Sequence, residues 1–318
     1  MFRHLWQSSM IAMARSKRVK AFMQNARATS FLRGKYVAGD SAEKGVQRAL
    51  DLMNTHNIRS SLFYMGEYVD DLGLVAENLR EKSGVIETLS EVGLGIHVSV
   101  DPTQIGHHVN PDIVEGHALA LAEKISAAVS DTGALNCLML DMEDASLNDP
   151  TITLHNALQD QGLPVALTLQ AYLRRTYADM EAQVARGSTV RLVKGAFAAP
   201  ADIAYPSQKE IKENSRKLIR LMLSAEAKKS GFYPIIATHD TKLHSYAMAQ
   251  AAANGWGADD YEFEMLLGVR GDVAISLAEQ GARVRLYVPF GHDWWPHAVR
   301  RIGENPRNAA LLARSLFK

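Results

Sequence analysis

Two apolar runs, Pro164-Val-Ala-Leu-Thr-Leu-Gln170 and Thr189-Val-Arg-Leu-Val-Lys194, and the segment between them decide the fold. Each run is short and aliphatic, as a buried strand is. Between them, residues 176–186 place apolar side chains at helical spacing. The runs begin 25 residues apart, too far for a hairpin and suited to parallel strands joined by a crossover helix.

The same alternation extends in both directions. Further strands are expected at 61–65, 95–100, 136–141, 233–238, 260–265 and 283–288. Helices are expected near 68–91, 112–129, 150–160, 207–230, 241–254, 270–280 and 296–303, with one more at 41–56 ahead of the first strand. Eight such units predict an α/β fold, a closed (βα)8 TIM-like barrel with an N-terminal helical extension. Residues 1–40 form the basic helical segment and 41–318 the barrel in this reading. No repeat, low-complexity tract or long linker divides the chain.

Bulk composition narrows the function. The formal net charge is zero and the pI about 7.2, so nothing points to nucleic acid as a partner. A single cysteine, Cys137, excludes internal disulfides and thiolate-cluster metal sites. No apolar stretch is long enough to span a membrane. Residues 1–39 carry eight Lys or Arg and no acid before Asp40, which fits helices covering a barrel end, a targeting segment or a peripheral membrane contact.

Barrel enzymes place their chemistry at the strand C-termini. Those positions are Glu67, Asp101, Asp141 with Glu143, Gln170, Lys194, His239, Glu264 and Tyr287. Hydrogen-bonding or ionisable groups at all eight ends indicate an enzyme site. His107 and His108 lack the spacing of a metal site, and no dinucleotide or phosphate loop follows any strand. Lys194 could form a Schiff base. Alternatively, Arg191 and Lys194 could donate to a cofactor that approaches the backbone at Gly195 and Ala196. Periodicity does not choose between the two. Near the C-terminus, Arg300 and Arg301 sit together on the helix expected after the last strand, a fork of donors able to grip a carboxylate.

Several of these motifs occur together in one family. The chain resembles the proline dehydrogenases, monofunctional bacterial-type flavoenzymes of proline catabolism, over roughly residues 35–318. The resemblance rests on Val37-Ala-Gly39, Met65-Gly-Glu67, Asp141-Met-Glu143, Leu169-Gln-Ala-Tyr-Leu173, Arg191-Leu-Val-Lys-Gly-Ala196, Ala237-Thr-His239 and Tyr287…Arg300-Arg301-x-x-Glu304. It implies FAD across the barrel mouth, held by Gln170, Arg191, Val193, Lys194, Gly195, Ala196, Thr238 and His239. It implies a substrate carboxylate held by Arg300 and Arg301, with Tyr287 packed on the substrate ring. Asp141 would organise the site from behind, and Glu67 would pair with an arginine as a gate. The implied reaction is oxidation of L-proline to 1-pyrroline-5-carboxylate by hydride transfer to flavin N5, with a quinone or similar acceptor. The implied location is the cytoplasm, with peripheral contact at the inner membrane.

Three positions depart from the family pattern. Asp101 stands where the family has a lysine that helps hold the carboxylate. His297 replaces a tyrosine three residues before the arginine pair. Phe197 replaces a tyrosine, and Ala198-Ala-Pro200 lacks an acid. The flavin site matches while the substrate shell is altered. The alternatives are a divergent enzyme acting on a modified proline or other cyclic or N-substituted amine, and a flavin-binding protein without turnover.

Overall fold

The computed structural model describes residues 34–66, 69–129, 133–197 and 199–295. Strands β1 (Arg59–Tyr64), β2 (His97–Val100), β3 (Cys137–Leu140), β4 (Val165–Gln170), β5 (Thr189–Val193), β6 (Tyr233–Ala237), β7 (Glu262–Leu266) and β8 (Val284–Phe290) pair in chain order into a closed barrel. Each pairing is parallel, and the seam between β1 and β8 runs in register from Arg59↔Arg285 to Tyr64↔Phe290. The described helices are α1 (Ala42–His56), α2 (Leu72–Glu91), α3 (Val114–Ala128), α4 (Asn148–Asp160), α5 (Thr176–Ala185), α6 (Gln208–Met222), α7 (Ala225–Ser230), α8 (Thr241–Ala253) and α9 (Gly271–Glu279). The expected α/β barrel is therefore the observed one.

Strand alternation sorts the side chains into two cores. Leu62, Val98, Leu138, Leu140, Leu167, Val190, Leu192, Ile236, Val284 and Leu286 point outward and pack under the helices in the main apolar cluster. Each such burial contributes about 1.5–3 kcal/mol. Inside the barrel, Cys137, Met139, Ala166 and Ile235 form only a small apolar cluster. Most of the remaining buried interior is polar: Ser61, His97, Ser99, Thr168, Arg191, Glu262, Glu264 and Arg285.

Three boundaries differ from the sequence reading. The stretch 207–230 is two helices, because Ser224 caps a new one by accepting from the Ala227 N–H at 3.1 Å. The last strand, expected to end at 288, runs on through Pro289, since β8 continues to Phe290. Proline is tolerated there because β7 has already ended: its last partner on β8 is Tyr287. The Pro289 carbonyl accepts from the Ala38 N–H at 2.9 Å, and Tyr36 and Val37 beside it are buried. Finally, Trp294 and Trp295 are already helical, ahead of the start expected near Pro296. Residues 1–33 and the helix expected at 296–303 lie outside the described residues. Among those described, no helix is long and apolar enough to cross a membrane.

Candidate functional site

Strand register brings together side chains far apart in sequence. Thr168 on β4 is the register partner of Arg191 on β5, and Glu264 on β7 pairs with Ala237 on β6. All three side chains point inward near the C-terminal ends of the strands. Asp141 follows β3 directly, fixed by its N–H donating to the Val100 carbonyl at 2.9 Å.

Arg191 is the hub. Its Nε donates to Thr168 Oγ1 at 3.1 Å and its Nη1 to Glu264 Oε1 at 2.8 Å, while Nη2 is ion-paired with Asp141. The guanidinium also lies 5.3 Å from the centre of the Tyr287 ring. Tyr287 donates from its hydroxyl to Asp141 Oδ2 at 2.9 Å, and Thr168 donates to Asp141 Oδ1 at 3.3 Å. A buried cation between two carboxylates is strongly held, and each bond to it constrains the next. Burial pushes the Glu264 carboxyl up, against the pull of Arg191 and Arg285.

The C-terminal ends of β4 and β5 hold an acceptor without a partner. Gln170 Nε2 donates to the carbonyls of Met142 and Glu143 at 3.1 and 3.0 Å, but its buried Oε1 has no partner. Beyond it the chain turns at Gly195, with φ +93°. A Cβ there would collide with the Tyr172 ring, so only glycine fits. The Tyr172 N–H ties this turn down by donating to the Lys194 carbonyl at 3.0 Å. Across the mouth, the Thr238 N–H donates to the Glu264 carbonyl at 3.1 Å, and the His239 carbonyl accepts from Arg270 at 3.1 Å. Val193, Lys194, Gly195, Ala196, Thr238 and His239 thus surround the exit from β5 and β6, where the resemblance put the flavin contacts. An unsatisfied amide oxygen, backbone left bare of a side chain at Gly195 and cationic donors fit a flat, polar-edged ring system.

A second cluster lies on the β1–β3 side. Glu143 accepts from the Thr103 N–H at 3.0 Å and its hydroxyl at 2.8 Å. Burial, then the charge of Asp101, raises its pKa to about 8. The Asp101 N–H donates to Gln104 Oε1 at 3.2 Å. Lys82 reaches in from α2, fully buried, with Nζ 3.1 Å from the Ser99 carbonyl and 5.2 Å from the Phe63 ring centre. Burial lowers its pKa to about 7, opposed by Asp101. Phe63 in turn packs on Tyr287, ring centres 5.2 Å apart.

Asp101, Asp141, Tyr287 and the eight expected flavin contacts therefore gather at one end of the barrel. Tyr287 itself lies within β8 rather than at its end, because the strand continues past it. Glu67, His297, Arg300, Arg301 and Glu304 lie outside the described residues. Thr168 and Lys82 escaped the sequence reading. Thr168 sits two residues before Gln170, so it shares that residue's inward face. Lys82 carried a signal too: it falls among the buried positions Val75, Asn78, Val85 and Leu89 of α2.

Comparison with known proteins shows the family and the fold. The proline dehydrogenase family model matches residues 44–314. Proline dehydrogenase of Deinococcus radiodurans is 33% identical over 89% of each chain. Proline dehydrogenase 2 of Bacillus subtilis is 30% identical over 90% of each. Among solved structures, proline utilization A of Bdellovibrio bacteriovorus superposes with a TM-score of 0.78 at 18% identity, over 87% of this chain and 33% of that one. The protein of the same name from Corynebacterium freiburgense gives 0.73 at 21% identity, over 98% and 34%. The chain spans about a third of those two proteins, which share its barrel fold. The chain belongs to the proline dehydrogenase family.

Proposed function

We propose that this member of the proline dehydrogenase family oxidises L-proline to 1-pyrroline-5-carboxylate with FAD at the barrel mouth. Bound there, the flavin would supply a two-electron acceptor for the hydride leaving the carbon beside the substrate nitrogen. The reading gives Gln170, Lys194, Gly195, Ala196, Thr238 and His239 the task of holding it, with Val193 supplying backbone. Arg191 would hold positive charge against it, a placement that stabilises a reduced ring. Asp141, anchored to Arg191, Thr168 and Tyr287, would keep the Tyr287 ring facing the substrate. Arg300 and Arg301 would grip the carboxylate, with Glu67, His297 and Glu304 completing the substrate shell. A quinone or similar acceptor would then reoxidise the enzyme, in the cytoplasm or at the face of the inner membrane.

The observation that carries this is the buried Arg191 network lying beside an unsatisfied Gln170 oxygen and a turn that only glycine can make at Gly195, packed on the Tyr172 ring. A second reading, oxidation of a modified proline or other cyclic amine, is favoured by the acidic pair Asp101 and Glu143 at the same mouth. Anaerobic titration of the purified flavoprotein separates them. Bleaching of the flavin by L-proline supports the first reading. Bleaching only by N-substituted or cationic analogues supports the second, and a colourless protein that binds no flavin would sink both.

A further inference from the structure

The opposite end of the barrel carries a charge that nothing in the proposed reaction uses. Register pairs Arg59 at the start of β1 with Arg285 on β8, and Arg283 lies two residues before Arg285 on the same face. Three guanidiniums therefore meet at the N-terminal mouth. Two are matched. Arg283 is ion-paired with Asp259 at 2.7 Å and donates to the Tyr233 hydroxyl at 3.2 Å. Arg285 donates from Nε to both oxygens of Glu262 at 3.2 Å and from Nη1 to the Ser60 carbonyl at 2.8 Å.

Arg59 is the third, and among the described residues it has no ion pair or side-chain hydrogen bond. Burial, and then the charges of Arg283 and Arg285, lower its pKa. It is a half-buried cation without a direct partner beside two others, and only the more distant charge of Glu262 offsets them.

A cavity of about 120 Å³ opens at this point, lined by Arg59, Ser60, Arg285, Gly95 and apolar atoms of α1 and α2. No carboxylate is among its lining residues. Two buried donor atoms lack a hydrogen-bond acceptor here: the Ser60 hydroxyl and Arg285 Nη2. Nη2 lies 3.1 Å from Glu262 Oε2, an ion pair without hydrogen-bond alignment. The volume would hold about four waters at roughly 30 Å³ each, or one anion of four or five heavy atoms.

We propose that this cavity is a binding site for a small oxyanion, which neutralises Arg59 and accepts from the Ser60 hydroxyl, with Arg285 adding positive charge behind it. The anion bridges β1 and β8, the seam at which the barrel closes, so its binding stabilises the closed fold. The site faces away from the flavin mouth and stands whether or not proline is the substrate.

The test titrates the full-length flavoprotein with sodium phosphate or sodium formate at constant ionic strength, made up with sodium chloride, and reads the melting temperature. The expected result is a saturable rise with an oxyanion and none on chloride exchange, following the logarithmic dependence of ligand-linked stability. Saturation by phosphate alone marks a tetrahedral anion, and saturation by formate alone marks a carboxylate; either supports the site. Arg59→Met is expected to weaken the half-saturating concentration tenfold or more, and Ser60→Ala by less. Flavin bleaching by substrate should be the same in both variants as in wild type. If Arg59→Met does not fold, Ser60→Ala and Arg59→Lys give the same reading. An equal response to chloride and oxyanion, or variants that titrate like wild type, would overturn the proposal.

Discussion

Asp141 shows how much one side chain can fix. Its two oxygens meet Arg191, Thr168 and Tyr287, so the carboxylate sets the guanidinium and the aromatic ring in one step. Asp141→Asn keeps the shape and removes the charge. Glu264 still partners Arg191, so the loss should fall below the usual 3–5 kcal/mol for breaking a buried pair, at about 2–3 kcal/mol. Urea unfolding of the flavoprotein would measure it, and stopped-flow reduction by L-proline should slow by tenfold or more; an unchanged rate would remove Asp141 from the site. Gly195→Ala is a sharper change, because it combines a positive φ with a collision against Tyr172. Lost flavin with a folded barrel is the expected outcome, read by the absorbance ratio and circular dichroism. Asp141, Arg191 and Gly195 were legible in the sequence because they stand in recognisable motifs, Asp141 and Gly195 just past strand ends and Arg191 within β5. Thr168 was not, since a threonine within an apolar run looks like any β-former until a partner strand sets Arg191 beside it.

Helix α2 and the segment after β3 act together through two groups whose ionisation burial has shifted in opposite senses. Glu143 is raised from 4.5 to about 8, so across that window the folded chain keeps a proton that the unfolded chain has released. Stability therefore falls as pH rises from about 4.5 to about 8. Lys82 is lowered from 10.5 to about 7, so above pH 7 the unfolded chain holds the extra proton and stability rises with pH up to about 10.5. Both slopes act between pH 7 and 8 and oppose each other there. Glu143→Gln should flatten the acidic limb alone, and Lys82→Met the alkaline limb alone, in urea midpoints measured between about pH 5 and pH 9. Limbs that stay parallel to wild type in both variants would show that neither group titrates as its burial demands. At this scale the sequence was a good guide to where helices lie and a poorer one to where they stop. Residues 207–230 kept a helical pattern throughout, and only the Ser224 cap reveals the break. Lys82 was obscured differently, because a lysine on a helix is ordinarily solvated and only the packed helix shows this one to be enclosed.

The whole barrel was legible because each crossover is an independent vote for a parallel neighbour, and eight votes close a ring. Its interior was not. Glu262-Phe-Glu264 and Arg285-Leu-Tyr287 alternate polar with apolar, which in an open sheet marks a solvent face. Closure turns that face inward and stacks two ionic layers, Arg285 with Glu262 below and Arg191 with Glu264 and Asp141 above. In this architecture the lower end governs stability and the upper end chemistry, so equal insults to the layers should have unequal effects. Glu262→Gln leaves Arg285 buried without its counter-charge and should lower stability by about 3–5 kcal/mol. The double variant Glu262→Leu/Arg285→Met removes both charges and should regain most of that loss, since an apolar pair of similar volume often does as well as a buried ion pair. Both should still bind flavin and be reduced by L-proline once folded, because neither residue makes a hydrogen bond or ion pair with the upper layer and only their charge is felt at Glu264. Glu264→Gln touches Arg191 directly and should lose flavin reduction along with stability. If Glu262→Gln lost flavin to the same degree as Glu264→Gln, the two layers would have to be one cooperative unit, and the division between a stabilising floor and a reactive mouth would fail for this barrel.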